Sequence, residues 1–361
     1  MTTYKNLISN QIKSKTYLFL STICLQIALI NSPHATNTIT QYDQIAIDHA
    51  VMVFHAYQQI ANQEAFDFTK PVLRKIPNHL DPFQKISELH LSKPKQLTKG
   101  WTFTPLMGQS GPPKNPRVSM LAYLAINKTK KIILLVFRGS RHLGDWYNNS
   151  RLTIKKSDHL AYKGYLHGGY VDIFEQSVHQ LDALLKSCIH NVPSLKNYEL
   201  IICGHSLGGA MATISAAYLV GNKFYTKHFL PKNIHLITFG SPHVGIKYQG
   251  HDFGQWMQAH MSHIKRFERA TDLAPSLTHL CKIVVLKNKK YPKLAISAAP
   301  SPIAKCTLLS SAEDPNILFP NPHDVRNYRK LIYDILKLHY KPLFLRPIPK
   351  NANIGDYANM T

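Results

Sequence analysis

A chain of 361 residues with 44% hydrophobic content is long enough to bury a large core, and it has no internal repeat that would make it a solenoid or a propeller. Its net charge of +23 rules out an acidic, solvating chain and turns attention to anionic partners. Its five cysteines lack the spacing of a zinc site.

Lys5, Lys13 and Lys15 precede the apolar run 17–30, and Asn31, Ser32, Pro33, His34 and Ala35 follow it. That order of charged, greasy and small residues reads as a secretory signal over 1–35, shorter in its core than the roughly 20 residues of a membrane span. A secreted or periplasmic location follows. The alternative reading is an uncleaved membrane anchor or a buried first helix. From Asp43 to Asn62 the residues Ile45, Ala46, Ile47, Ala50, Val51, Val53, Phe54 and Tyr57 recur at helical spacing and predict the first long helix. Residues 67–117, rich in proline and lysine, read as an irregular stretch that includes Trp101 and Phe103.

Val118–Ile126 and Lys130–Phe137 are β-rich runs joined by a short polar turn, which predicts a hairpin. Gly169–Ile189 carries Val171, Phe174, Val178, Leu181, Leu184, Leu185 and Cys188 on one helical face. Asn233–Phe239 and Ile264–Ala270 read as further strands and Asp324–Leu338 as a last helix. Alternation of this kind predicts an α/β protein with a mostly parallel central sheet covered on both faces. It forms one domain over 40–340, with a tail at 341–361. Cys188 and Cys203 fall at core positions, whereas Cys281 and Cys306 flank a hairpin-like segment and could close a disulfide in an oxidising compartment.

The most informative stretch is 198–217, YELIICGHSLGGAMATISAA. An apolar run meets a Gly-x-Ser-x-Gly turn and then a helix-like segment. Only glycine at Gly204 and Gly208 leaves room for a serine pushed out above a sheet, so Ser206 is the candidate nucleophile. A serine hydroxyl needs a histidine to take its proton and a carboxylate to orient that histidine. Between Ser206 and the last helix the carboxylates are Asp252, Glu268, Asp272, Glu313 and Asp314. Asp272 follows a strand and precedes a Leu-Ala-Pro turn, where an acid would stand over the sheet edge; Asp314 is the alternative. The histidines beyond it are His279, His323 and His339, and His323, in Pro-Asn-Pro-His-Asp just before the last helix, is best placed to reach the serine. His205, inside the elbow, should point elsewhere. The backbone N–H of Leu207 and a donor from Ser140, at the end of Val-Phe-Arg-Gly-Ser, are the oxyanion candidates. The segment after Ser140 holds Arg141, Leu143, Trp146 and Tyr147 around Gly144 and reads as a lid with an apolar face, or as a loop anchored in the core by Trp146.

The charge is uneven. Between Glu88 and Asp145 there is no acid, nor between Leu273 and Ala312. No zinc pattern, helix-turn-helix spacing or glycine-aromatic motif accompanies these basic tracts, so nucleic acid is not the expected partner; a lipid surface, with anionic phospholipid as the attractive component, fits better beside a serine-hydrolase turn.

FRGS at 137–140, KGY at 163–165, GHSLGG at 204–209, TFGSPHVG at 238–245 and the Asp272 and His323 loops, in this order, resemble the class 3 lipases. The resemblance implies an α/β-hydrolase fold acting on triacylglycerols, phospholipids or galactolipids at a membrane or lipid-droplet interface, with no metal or organic cofactor. It implies Ser206, Asp272 and His323 as the catalytic set, Ser140 and Leu207 at the oxyanion, and the segment after Ser140 as lid. The chain departs from the family at Tyr162, commonly histidine, and at His243, commonly arginine; Lys282–Cys306 matches none of its motifs. A lipid acyltransferase, or a membrane-binding protein of the same fold without turnover, are the rival readings.

Overall fold

The computed structural model describes residues 39–60, 99–110, 117–140, 153–247, 250–269, 272, 274–275, 299–301, 306–308 and 323–336. The signal-like segment 1–35, the lid candidates Arg141, Leu143, Trp146 and Tyr147, the alternatives Asp314, His279 and His339, the Cys281 partner of the Cys306 bridge and the tail at 341–361 lie outside the described residues.

The chain order begins with helix α1, Gln41–Ile60, and strands β1, Thr102–Ser110, β2, Arg117–Asn127, and β3, Ile132–Phe137. Two short strands, β4, Ile154–Lys155, and β5, Leu166–His167, lead into α2, Gly168–Asn191. Then come β6, Glu199–His205, α3, Leu207–Gly221, α4, Lys223–His228, β7, Ile234–Phe239, β8, Gly245–Lys247, α5, Phe253–His260, and β9, His263–Glu268. The short strands β10, Ala299–Ser301, and β11, Cys306–Leu308, precede the last helix, α6, Val325–Ile335.

The main sheet has the order β1-β2-β3-β6-β7-β9-β11. β1, β2 and β3 pair antiparallel, and β3, β6, β7, β9 and β11 run parallel. A separate antiparallel sheet joins β10, β8, β5 and β4. Side chains alternate across the main sheet as strand geometry requires. On β3, Ile133, Leu135 and Phe137 enter one core with α2 and α3, while Ile132, Leu134 and Val136 enter the other with α1 and α6. Leu200 and Ile202 of β6 face the first core, Ile201 and Cys203 the second. Both faces are therefore covered, which explains why the inner strands read as continuous apolar runs rather than alternating ones. Cys188 and Cys203 are buried free thiols.

The stretch 67–117 is not irregular throughout: its end forms β1, paired along β2 from Thr102–Ile126 to Ser110–Arg117. Pro105 obscured the strand. β1 lies at the sheet edge, where proline is tolerated, and a register shift follows between Leu106 and Met107. The helix that follows Ser206 ends at Gly221, where close packing requires glycine: a Cβ there would stand 2.7 Å from that of Ala161. The turn into α4 is made by Asn222, whose side chain accepts from the Phe224 N–H at 2.9 Å. Asp324 begins α6 in the same way, accepting from the Arg326 N–H at 2.8 Å. Five parallel strands, an antiparallel edge hairpin, helices on both faces and a strand–serine–helix turn make this an α/β-hydrolase fold.

Candidate active site

Ser206 sits between β6 and α3 with φ 56° and ψ −128°, a conformation that L-residues avoid and a tight elbow imposes. The elbow is wedged between neighbours. A Cβ on Gly204 would lie 2.4 Å from the carbonyl carbon of Gly208, and one on Gly208 would lie 2.3 Å from the carbonyl oxygen of Phe137. Backbone atoms cannot yield as a flexible side chain can, so both positions require glycine. Leu207 opens α3, whose first N–H groups have no helical acceptor and face developing negative charge favourably.

Parallel strands deliver the partners to the same end of the sheet. β9 ends at Glu268, and Asp272 follows in the next turn; α6 begins at Val325, two residues past His323. His323 Nδ1 is 2.7 Å from Asp272 Oδ2, and His323 Nε2 is 2.7 Å from Ser206 Oγ. With Nδ1–H given to the carboxylate, Nε2 is left as the acceptor for the serine hydroxyl. Gly240, with φ 53°, makes room beneath: a Cβ there would stand 2.7 Å from Asp272 Oδ2 and 3.2 Å from His323 Cε1. Glu268 is turned to Arg266, 2.5 Å away, and Asp252 caps α5, so neither reaches the serine.

Asp272 is buried, which alone would raise its pKa. Hydrogen bonds from His323, from the Tyr328 hydroxyl at 2.5 Å and from the Ala274 N–H at 2.9 Å outweigh that burial and hold the carboxyl below its ordinary value. Tyr328 was not singled out in the sequence. The available signal was its place on the inner face of α6, one turn past His323. Burial first, and the Asp272 charge second, push the Tyr328 hydroxyl well above its ordinary pKa, so it stays a donor.

His205 does not point away. Its ring lies against that of His323, centroids 4.5 Å apart and planes 36° apart, and edge-on to Tyr328 at 5.7 Å. Burial, reinforced by the His323 charge, pushes its pKa down to about 3, so the packed neighbour of His323 is a neutral imidazole. Ser140 follows the end of β3, and Gly139 brings that backbone close to the elbow: its Cβ position would be 3.2 Å from the His205 carbonyl and 3.6 Å from the Ser206 Cβ. Arg138, almost wholly buried, donates to the carbonyls of Met120 at 2.7 Å and Gly139 at 2.8 Å. The second bond fixes the plane of the 139–140 peptide, whose N–H points opposite to its C=O. Tyr162, where the family commonly has histidine, is buried and packs edge-on to Phe253 at 5.1 Å.

A hydroxyl, an imidazole and a carboxylate in line, beside a helix N-terminus, can take a proton from an oxygen and stabilise an oxyanion on a bound carbonyl. The model of the family described as lipase (class 3) matches residues 134–281. A secreted mono- and diacylglycerol lipase 1 of Fusarium solani is 33% identical over 124 residues, 34% of each chain. A secreted mono- and diacylglycerol lipase A of Penicillium cyclopium is 27% identical over 178 residues, 47% of this chain and 50% of that one. The alignments thus span about a third to a half of the length of these curated relatives. A crystal structure of a lipase from Rhizopus microsporus var. chinensis superposes with a TM-score of 0.45 at 18% identity, over 67% of this chain and 70% of that one. The stretch that contains the elbow and Asp272 is thus similar to the class 3 lipases.

Proposed function

We propose that the protein hydrolyses carboxylic esters of lipids through an acyl-enzyme on Ser206. His323 takes the proton of the Ser206 hydroxyl as Oγ attacks the ester carbonyl, and the N–H groups of Leu207 and Ser140 receive the oxyanion. The same proton passes to the departing alcohol oxygen. Water then repeats the attack on the acyl-serine, releases the fatty acid and restores the hydroxyl. Asp272 keeps the imidazole in the required tautomer and steadies its charge. The supporting observation is the pair of 2.7 Å contacts on the two ring nitrogens of His323.

The substrate class rests on the family and on the names of the matched relatives, which act on mono- and diacylglycerols. Triacylglycerols and, as a phospholipase A1-type activity, the sn-1 acyl ester of phospholipids are the extensions we propose, at a lipid surface that includes acidic phospholipid. We read residues 1–35 as a secretion signal, in keeping with the secreted relatives, and 40–340 as the catalytic domain; the exported protein should begin near Thr36. The decisive experiment is labelling with a fluorophosphonate, followed by mapping of the modified peptide and assay of Ser206→Ala. The label should fall on Ser206, and the variant should lose at least about 1,000-fold in kcat. A label elsewhere, or an active Ser206→Ala, refutes the mechanism, and inactivity of both proteins favours a binding protein without turnover.

A further inference from the structure

The end of the sheet opposite Ser206 carries a group of lysines for which the chemistry above has no use. Lys130 and Lys131 lie in the turn between β2 and β3, Lys196 in the helical turn before β6, and Lys232 in the turn before β7. These segments are bonded side by side: the Glu199 N–H donates to the Lys131 carbonyl at 3.0 Å, and the Asn233 side-chain amide donates to the Lys196 carbonyl at 2.9 Å. Lys223 and Lys227 on α4 extend the same end, since α4 follows the C-terminus of α3 and leads into the turn before β7. All six are exposed, and none has an ion pair among the described residues. Among the described residues, the acids at this end are taken: Glu199 binds His235 at 2.7 Å, Asp43 binds Lys265 at 2.7 Å, and Asp182, beside α4, binds Lys186 at 2.7 Å. Beside Lys223 stands Phe224, 43% exposed, one of two large apolar side chains so exposed among the described residues.

We propose that this lysine-rich end is a second docking surface, separate from the elbow, for the acidic phospholipid headgroups of a bilayer. Cations presented in one facet match a plane of phosphates, and an exposed aromatic among them suits the headgroup boundary. Base recognition would call for several stacking platforms rather than one. β6 runs between the two ends, and its seven residues separate the lysines from Ser206 by roughly 20 Å. Docking by this end leaves Ser206 facing away from the bound bilayer, open to lipid arriving from the other side. The surface serves as a tether and needs no hydrolysis to operate.

The test uses the full chain and vesicles of phosphatidylcholine with or without about a third phosphatidylglycerol, in cosedimentation at low and high salt. Wild type should bind the acidic vesicles at least tenfold more tightly than neutral ones, and lose that preference in high salt. The triple variant Lys131→Gln/Lys196→Gln/Lys232→Gln should lose about 100-fold in affinity, near fivefold per lysine. Its melting temperature and its hydrolysis of a soluble short-chain ester should match wild type. Vesicle-bound wild type should still cleave that soluble ester. Equal binding by variant and wild type, tighter binding of duplex DNA than of vesicles at matched phosphate, or loss of soluble-ester cleavage on binding would each overturn the tether. Failure of Ser206 as nucleophile is read separately, because Ser206→Ala should bind vesicles like wild type.

Discussion

Tyr328 supports from behind the carboxylate that His323 bonds. It donates to the same Asp272 oxygen that receives His323, so Tyr328→Phe removes one of three supports from the carboxylate. We expect a loss of about 1–2 kcal/mol in stability and a fall in kcat of about tenfold with KM little changed, read from denaturant melts and steady-state kinetics. An unchanged kcat would make the bond structural only. Arg138 lies beside Gly139 and Ser140, on the side proposed above for the oxyanion. Arg138→Met strips a buried donor from the Met120 and Gly139 carbonyls and frees the 139–140 peptide to rotate. The expected cost is about 2–3 kcal/mol in stability, with loss in kcat exceeding any change in KM.

At the scale of elements, two contacts hold the site. The first is the seam between α3 and β3. Gly208→Ala would drive a methyl into the Phe137 and Arg138 carbonyls, at 2.3 and 2.6 Å, and overpacking of that kind costs about 1–3 kcal/mol or more. Activity should fall even at temperatures where the variant is fully folded, because relief requires the elbow to move away from β3. The second is the clamp between α1 and α6. Arg329 Nε donates to Asp48 Oδ1 at 2.6 Å, and the Tyr333 hydroxyl donates to the same carboxylate at 2.8 Å. The Asp48 and Arg329 side chains are only 4% and 5% exposed, so Asp48→Ala leaves a guanidinium buried without its counter-charge. A loss of about 3–5 kcal/mol follows, visible as a lower melting temperature. Since α6 carries Tyr328 and begins beside His323, the same variant should lower kcat below the unfolding range; full activity there would show that the clamp serves stability alone.

For the whole molecule, buried neutral histidines set the response to acid. His49 and His205 are each pushed by burial from an ordinary 6.5 down to about 3. The unfolded chain takes up these protons below pH 6.5 and the folded chain does not, so stability falls as pH drops. Between pH 7 and 5 each histidine accounts for about 2 kcal/mol, about 4 together. Asp272 adds to the loss at lower pH: its contribution is complete above the ordinary carboxylate range and disappears as pH falls through its depressed value. Urea midpoints at pH 7, 6 and 5 should decline steadily, and a flat profile would contradict the burial of these rings in solution.

Local pattern alone was enough for several elements. The apolar faces of α1 and α2, the β2–β3 hairpin, β6, β7, β9 and the strand–Ser206–helix turn were legible because each expresses a short-range rule of spacing or of glycine placement. Asp272 and His323 were legible as candidates because an acid past a strand and a histidine before a helix fall at the same end of a parallel sheet. Long-range pairing decided the rest. Pro105 reads as a strand breaker until β1 is seen to lie at an edge, and the His205 ring finds His323 only after α6 packs beside β6. Tyr328, Arg138 and the lysines at the far end of the sheet gain meaning from what stands around them, which spacing along one chain does not encode. Sequence periodicity records which face a residue turns inward; the partner it meets there is set by how distant elements pack.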